Sequence, residues 1–157
     1  MTGSLPSSPA SEPHGLHRAL VTAQFALILA VAWRGDVVAP GWGLAVQAAG
    51  LGLIAWASVT MTRAQGRLFS VTPSPARHAV LCTGGPYRFV RHPMYLAVLL
   101  VGWPAAWWGR PGALVAMLLL TAVLLIKLRV EERALARKFE GWRAYAARSA
   151  ALVPMVW

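Results

Sequence analysis

Four stretches of the chain are apolar almost without interruption, and the polar residues collect between and after them: residues 16–33, 41–61, 94–108 and 112–128. A helix needs about 20 residues to cross a hydrocarbon core. The second run has that length, whereas the third is short and carries Pro104. The sequence "GRPG", Gly109 to Gly112, separates the third and fourth runs. It predicts a tight turn and therefore an antiparallel helical hairpin. Residues 1–15 are rich in Ser and Pro and lack periodicity, which reads as a disordered tail. "AVA" at Ala30–Ala32 has the form of a signal-peptidase site, but only Arg18 supplies positive charge before the run, so an uncleaved first helix is expected. After Leu128, "LRVEERALARKFEGWRAY" has the pattern of an amphipathic helix. The expectation is an all-α integral membrane protein. One domain, residues 16–157, would hold four transmembrane helices at about 16–33, 41–61, 94–108 and 112–128 and a cytoplasmic helix at about 129–150. A first helix lying on the surface, leaving three spans, is the rival arrangement.

Composition agrees with this pattern. Of 157 residues, 57% are hydrophobic and 13% charged, against about 25% charged in an ordinary soluble domain. A net charge of +10 raises a nucleic-acid reading. That reading is set aside because the basic residues sit beside apolar runs, as juxtamembrane charges do. Arg63, Arg67, Arg77, Arg88 and Arg91 fall in the middle loop, and seven more Lys and Arg fall between Lys127 and Arg148. The two outer turns hold only Arg34 and Arg110. The positive-inside rule then places both termini, the middle loop and the C-terminal segment on the cytoplasmic side of a cytoplasmic membrane. Cys82 is the single cysteine, so no internal disulfide exists. Four histidines and five carboxylates give no metal-site pattern.

Chemistry should lie where the two cytoplasmic pieces meet. In "GPYRFVRHPMY", Gly85 to Tyr95, glycine and proline exclude regular structure until Pro93, which suits the first turn of a helix. His92 then falls near the cap with Tyr95 one turn on. The helix start offers free N–H groups and positive dipole to an anion. Arg88 and Phe89 read as membrane anchors. For His92 and Tyr95, site and interface roles stand about even from spacing alone. On the later helix, Glu131 shares a face with Leu135 and Trp142, and Lys127 lies four residues before it, so an i,i+4 ion pair is the simple reading. Glu132 lies a quarter-turn away and could be solvated charge. Two adjacent glutamates in a chain with five acidic residues point instead to a cationic ligand. Gln24 and Gln47, alone in their spans, read as packing or hydrogen-bonding groups. The tryptophans at span ends read as belt residues.

Arg91-His92-Pro93-x-Tyr95, a hairpin, and then Glu131-Glu132-x-x-Leu135 resemble the isoprenylcysteine carboxyl methyltransferase and phospholipid methyltransferase superfamily of integral-membrane enzymes. The resemblance runs from about Arg63 to Pro154. It implies S-adenosylmethionine as cofactor, held by His92, Tyr95, Glu131 and Glu132, with Leu81, Gly85 and Tyr87 as the lead-in whose backbone lines the pocket. It also implies a lipid-like or hydrophobic acceptor and membrane lipids, not nucleic acid, as partners. Two positions depart from the pattern. Ala79 stands where a histidine is common, with His78 one residue off. "FEGWRAY" places Trp142 where a tyrosine is usual.

Methyl transfer from a sulfonium is a direct displacement that rests on positioning and exclusion of water. A carboxylate acceptor needs no base, whereas an amine or thiol must lose a proton. No dedicated base stands out, which favours a carboxylate, as in isoprenylcysteine-type O-methylation. An arginine could clamp it: Arg129 first, Arg91 second. Phospholipid or amine N-methylation is the alternative, and a non-catalytic relative or a small transporter of the same topology completes the set. A reductase is disfavoured because the chain leaves little room for a nicotinamide site.

Overall fold

Apolar runs bounded by glycine and proline fix where the helices begin and end. The computed structural model describes residues 14–65 and 81–153. Residues 1–13 of the expected 1–15 tail, most of the middle loop including His78 and Ala79, and residues 154–157 lie outside the described residues; His14 and Gly15, expected in the tail, instead open the first helix, since nothing after Pro13 interrupts the helical run. Among the described residues five α-helices form: α1 His14–Arg34, α2 Trp42–Gln65, α3 Pro93–Trp107, α4 Ala113–Lys138 and α5 Trp142–Ala146. A single 3-10 turn, Gly85–Arg88, precedes α3. No strand forms among the described residues, only one isolated parallel bridge between Val90 and Ala150.

The protein is an all-α membrane protein. Helices α1, α2 and α4 are long and apolar enough to cross a membrane. The 15 residues of α3 extend about 22 Å, less than the ~30 Å hydrocarbon core. Phe25, Leu29 and Trp33 on α1, Leu51 and Trp56 on α2, and Leu118, Leu119 and Ile126 on α4 are all exposed. In water that surface would drive aggregation; in lipid it is solvated.

The expected α3–α4 hairpin is present. It turns at Gly112, whose φ of +93° suits glycine and opens α4. Helix α2 packs along α3, α1 along α4, and α3 against α4. Tyr95, Ala105, Ala106, Met117, Leu120, Leu124 and Leu128 form the buried core between them, with Val31 of α1. Small residues let the helices approach. A Cβ on Gly50 of α2 would lie 3.1 Å from the Ala97 carbonyl oxygen on α3.

The two tight turns are tied to each other. The Asp36 N–H donates to the Ala105 carbonyl at 2.8 Å, and the Arg110 N–H to the Arg34 carbonyl at 2.7 Å. Buried Gln47 accepts from the Ala39 N–H at 2.9 Å and donates to Val37 O at 3.3 Å and Val101 O at 3.4 Å. Gly109 sits in this knot. A Cβ there would lie 2.7 Å from Gly35 Cα, 2.8 Å from Arg34 O and 2.9 Å from Ala105 O, all backbone atoms that cannot step aside. Gly109→Ala should therefore destabilise the bundle by about 1–3 kcal/mol. Thermal melting in detergent tests this, with Gly52→Ala as the control, because nothing lies within 4 Å of a Cβ at Gly52.

At the opposite end the structure departs from the expected separate helix over 129–150. Helix α4 runs unbroken to Lys138, because "RVEERALARK" is made almost wholly of good helix formers. The chain breaks only at Phe139–Gly141 and resumes as the short α5. It then returns to the start of α3. The Ala150 N–H donates to Phe89 O at 2.9 Å, Arg91 N–H to Ala150 O at 2.8 Å, and His92 N–H to Ala151 O at 3.2 Å.

Candidate functional site

Two short elements meet at this end: the entry to α3, and the last turns of α4 with the returning C-terminal segment. Pro93 opens α3 and makes His92 its N-cap residue, so His92 and Tyr95 occupy one turn. Their rings stack at 5.3 Å with 13° between planes. Both side chains are buried. Adjacent residues on a helix diverge by about 100°, and Glu131 and Glu132 accordingly meet different partners. The Tyr95 hydroxyl donates to Glu131 Oε2 at 2.7 Å, and Arg91 Nε donates to Glu132 Oε1 at 2.7 Å.

His92 stands between the two carboxylates. Its Nδ1 is 3.8 Å from Glu131 Oε2 and its Nε2 is 3.7 Å from Glu132 Oε1. Both distances exceed hydrogen-bond range, and Nε2 is buried without a hydrogen-bond partner. Such an atom in an otherwise satisfied cluster calls for a ligand or water.

Arg91 is a buried guanidinium, its side chain 8% exposed. Besides Glu132 it donates through Nη1 to the carbonyls of Ala146, at 2.9 Å, and Ser149. It also lies 6.0 Å from the centre of the Trp142 ring. These bonds lock the C-terminal segment onto the start of α3. The guanidinium sets an opposite charge against the Glu132 carboxylate.

Lys127 extends the cluster into the bundle. Its ammonium donates to Gln24 Oε1 of α1 at 2.9 Å, lies 3.7 Å from Glu131 Oε1 and sits 5.2 Å from the Tyr95 ring centre. The i,i+4 contact expected for Lys127 and Glu131 is present, and Gln24 serves as a hydrogen-bonding group. A charged side chain at the centre of a transmembrane helix costs about 2.5–3.5 kcal/mol on insertion scales. The carboxylate, amide and ring around Lys127 offset such a cost.

Beside Glu132 opens a cleft of about 800 Å³. Arg91, Arg129, Glu132, Arg133 and Trp142 form its polar and aromatic wall, and Leu125, Leu128 and the segment Ala151–Val153 its apolar side. Arg129 and Arg133 are exposed one turn apart, and among the described residues neither pairs with a carboxylate.

The sequence-derived candidates thus fall into three groups. Arg91, Arg129 and Glu132 line the cleft. His92, Tyr95 and Glu131 lie directly behind Glu132 and are joined to it as described. Leu81, Gly85 and Tyr87 lie in the lead-in, which packs on α2, and do not border this cleft. Gly85 has φ +55°, and a Cβ there would fall 2.5 Å from Thr60 Oγ1. Tyr87 is buried with Cys82 and Ala57, and its carbonyl accepts from the Tyr145 hydroxyl at 2.7 Å. Burial pushes the hydroxyls of Tyr87 and Tyr145 up to about 12 each, so both phenols keep their protons near neutrality and neither serves as a base. Arg133 and Ala151–Val153 escape a reading by sequence. Arg133 carries a usable signal, its i,i+4 spacing from Arg129; the C-terminal segment carries none, because three residues of pairing leave no periodicity.

A family model described as phospholipid methyltransferase matches residues 42–141, well over half of the chain. The match takes in α2, the entry to α3, the hairpin and α4, hence Arg91, His92, Tyr95, Arg129, Glu131, Glu132 and Arg133. Helix α1, Trp142 and the returning C-terminal segment lie outside it. No curated protein and no solved structure matches the chain.

Proposed function

The chain belongs to the phospholipid methyltransferase family, and from that premise we propose that it transfers a methyl group from S-adenosylmethionine to the carboxylate of a lipid-like acceptor. The observation that carries the reading is the cleft wall. Glu132 lines one side, with the buried and unpartnered Nε2 of His92 3.7 Å behind its carboxylate, and two arginines that pair with no carboxylate among the described residues stand on the same helix. The residues fit such a cofactor. The cleft falls within the ~300–1,000 Å³ typical of small-molecule sites, its carboxylate suits a cation, and a buried imidazole nitrogen beside it lacks a partner.

When bound, the cofactor supplies an electrophilic methyl on a positively charged sulfur. Glu132 offers negative charge toward that cation, and Glu131 and Tyr95 hold His92 in place behind it. The lead-in through Leu81, Gly85 and Tyr87 packs on α2 away from the cleft and, through the Tyr87 carbonyl, anchors Tyr145 next to Trp142. Arg129, with Arg133 one turn on, receives the acceptor's carboxylate, and Arg91 stands behind as the fixed member of the wall. The apolar side, Leu125, Leu128 and Leu152, takes the acceptor's hydrocarbon and keeps water from the reacting atoms. Transfer to a carboxylate oxygen would make one C–O bond and break one C–S bond, the cleaved pair staying with sulfur. Charge is neutralised, no proton moves, and no base is needed. We place this face on the cytoplasmic side, where the basic residues concentrate, in a single membrane domain.

The family's own description favours a second reading, an amine head group as acceptor, which must lose one proton. One experiment separates the two. Purified protein in lipid nanodiscs is incubated with methyl-labelled cofactor and a membrane lipid extract. Label released as volatile methanol by mild base marks an ester, and label that stays marks an N-methyl group. Absence of cofactor binding by calorimetry would overturn both.

A further inference from the structure

Lys127 has no place in the reaction just described, yet it is the one ammonium drawn into the bundle among the described residues, its side chain only 12% exposed. A buried cation in a membrane helix persists where it has a task. Its contacts define one. Glu131 is met by the Tyr95 hydroxyl at 2.7 Å, by His92 Nδ1 at 3.8 Å and by Lys127 at 3.7 Å. It does not border the cleft, whereas its neighbour Glu132 does. The two glutamates therefore form two ion pairs side by side, Glu132 with Arg91 and Glu131 with Lys127. Only the first faces a ligand. Lys127 is in turn held by Gln24, at 2.9 Å, from α1, a helix outside the residues matched by the family model.

We propose that Gln24 and Lys127 are positioning residues: they compensate and fix Glu131, which through Tyr95 and His92 sets the wall of the cleft, so that α1 is a working part of the site. Glu131 then acts behind the wall and Glu132 at it. The inference rests on reading the cleft as the cofactor pocket, but its first test does not depend on that reading.

The test uses the full chain in nanodiscs as wild type, Lys127→Met, Lys127→Arg, Gln24→Leu, Glu131→Gln and the double variant Lys127→Met/Glu131→Gln. The first readout is thermal melting without cofactor. Lys127→Met leaves the Glu131 carboxylate uncompensated inside the bundle and should lower the melting point, and Glu131→Gln in the same chain should restore most of the loss. The second readout is affinity for S-adenosylmethionine. Lys127→Met and Gln24→Leu should weaken it, the former about tenfold, while Lys127→Arg stays within about threefold. Lys127→Met should add little to the effect of Glu131→Gln. Additive melting losses would overturn the proposal, as would an unchanged affinity in Gln24→Leu beside a wild type that binds. If the wild type binds no cofactor, the functional reading falls, and the melting cycle alone decides whether Lys127 compensates Glu131.

Discussion

Arg91→Ala should destabilise the protein by about 3–5 kcal/mol, the range seen when one partner of a buried ion pair is removed. The guanidinium does three things at once. It neutralises Glu132, satisfies the carbonyls of Ala146 and Ser149, and lies against Trp142. Its loss leaves a partly buried carboxylate and two carbonyls without that donor, and residues 149–151 are then held to the α3 entry, among the described residues, by three backbone hydrogen bonds and the packing of Ala151 on the core. The C-terminal segment should then detach. Limited proteolysis of the purified protein should cut Arg91→Ala after α5 under conditions that leave the wild type whole, and the melting point in detergent should drop by many degrees. Arg91→Lys should fall between, since an ammonium keeps the charge but cannot reproduce a guanidinium fork. If Arg91→Ala resisted protease and melted like the wild type, the C-terminal segment would be held by something other than this residue.

Arg91 also shows what the sequence could and could not convey. Apolar runs bounded by Gly, Pro and charge read directly as helices, because spanning a hydrocarbon core imposes length and composition. The second run, 41–61, became α2 at Trp42–Gln65, and "GRPG" became the hairpin turn. The proximity of the α3 entry to the Glu pair followed from that hairpin. The directions of Glu131 and Glu132 were half legible: the 100° step separates them, but which one meets Tyr95 depends on how α4 is rotated against α3, and packing decides that. Arg91 meets partners 55 and 58 residues away, and those partners are backbone carbonyls, which every residue has. Nothing in the local pattern marks them. The same holds for α1 lying along α4, which alone brings Gln24 to Lys127.

The second large effect belongs to Glu132. Glu132→Gln should weaken binding of S-adenosylmethionine by about 1.5–3 kcal/mol, the worth of a hydrogen bond to a charged group, or roughly ten- to a hundredfold. The argument is one of charge balance. Within the wall, Arg91 and Glu132 stand at 2.7 Å and cancel each other's charge, which leaves Glu132 as the one carboxylate among the cleft's lining residues. Removing the carboxylate's charge leaves the Arg91 guanidinium without its counter-ion beside the place proposed for the sulfonium, so that part of the wall turns from neutral to positive and repels the cation. Calorimetry with two ligands isolates the effect. The demethylated product has a neutral sulfur and otherwise the same groups, so it should lose much less affinity than the substrate in Glu132→Gln. Equal losses for both ligands would mean that Glu132 serves some part of the cofactor other than the sulfonium. A double variant, Arg91→Met with Glu132→Gln, supplies the complement. With both charges gone the added repulsion goes too, so substrate should bind this variant better than Glu132→Gln alone, provided its C-terminal segment resists protease as the wild type's does.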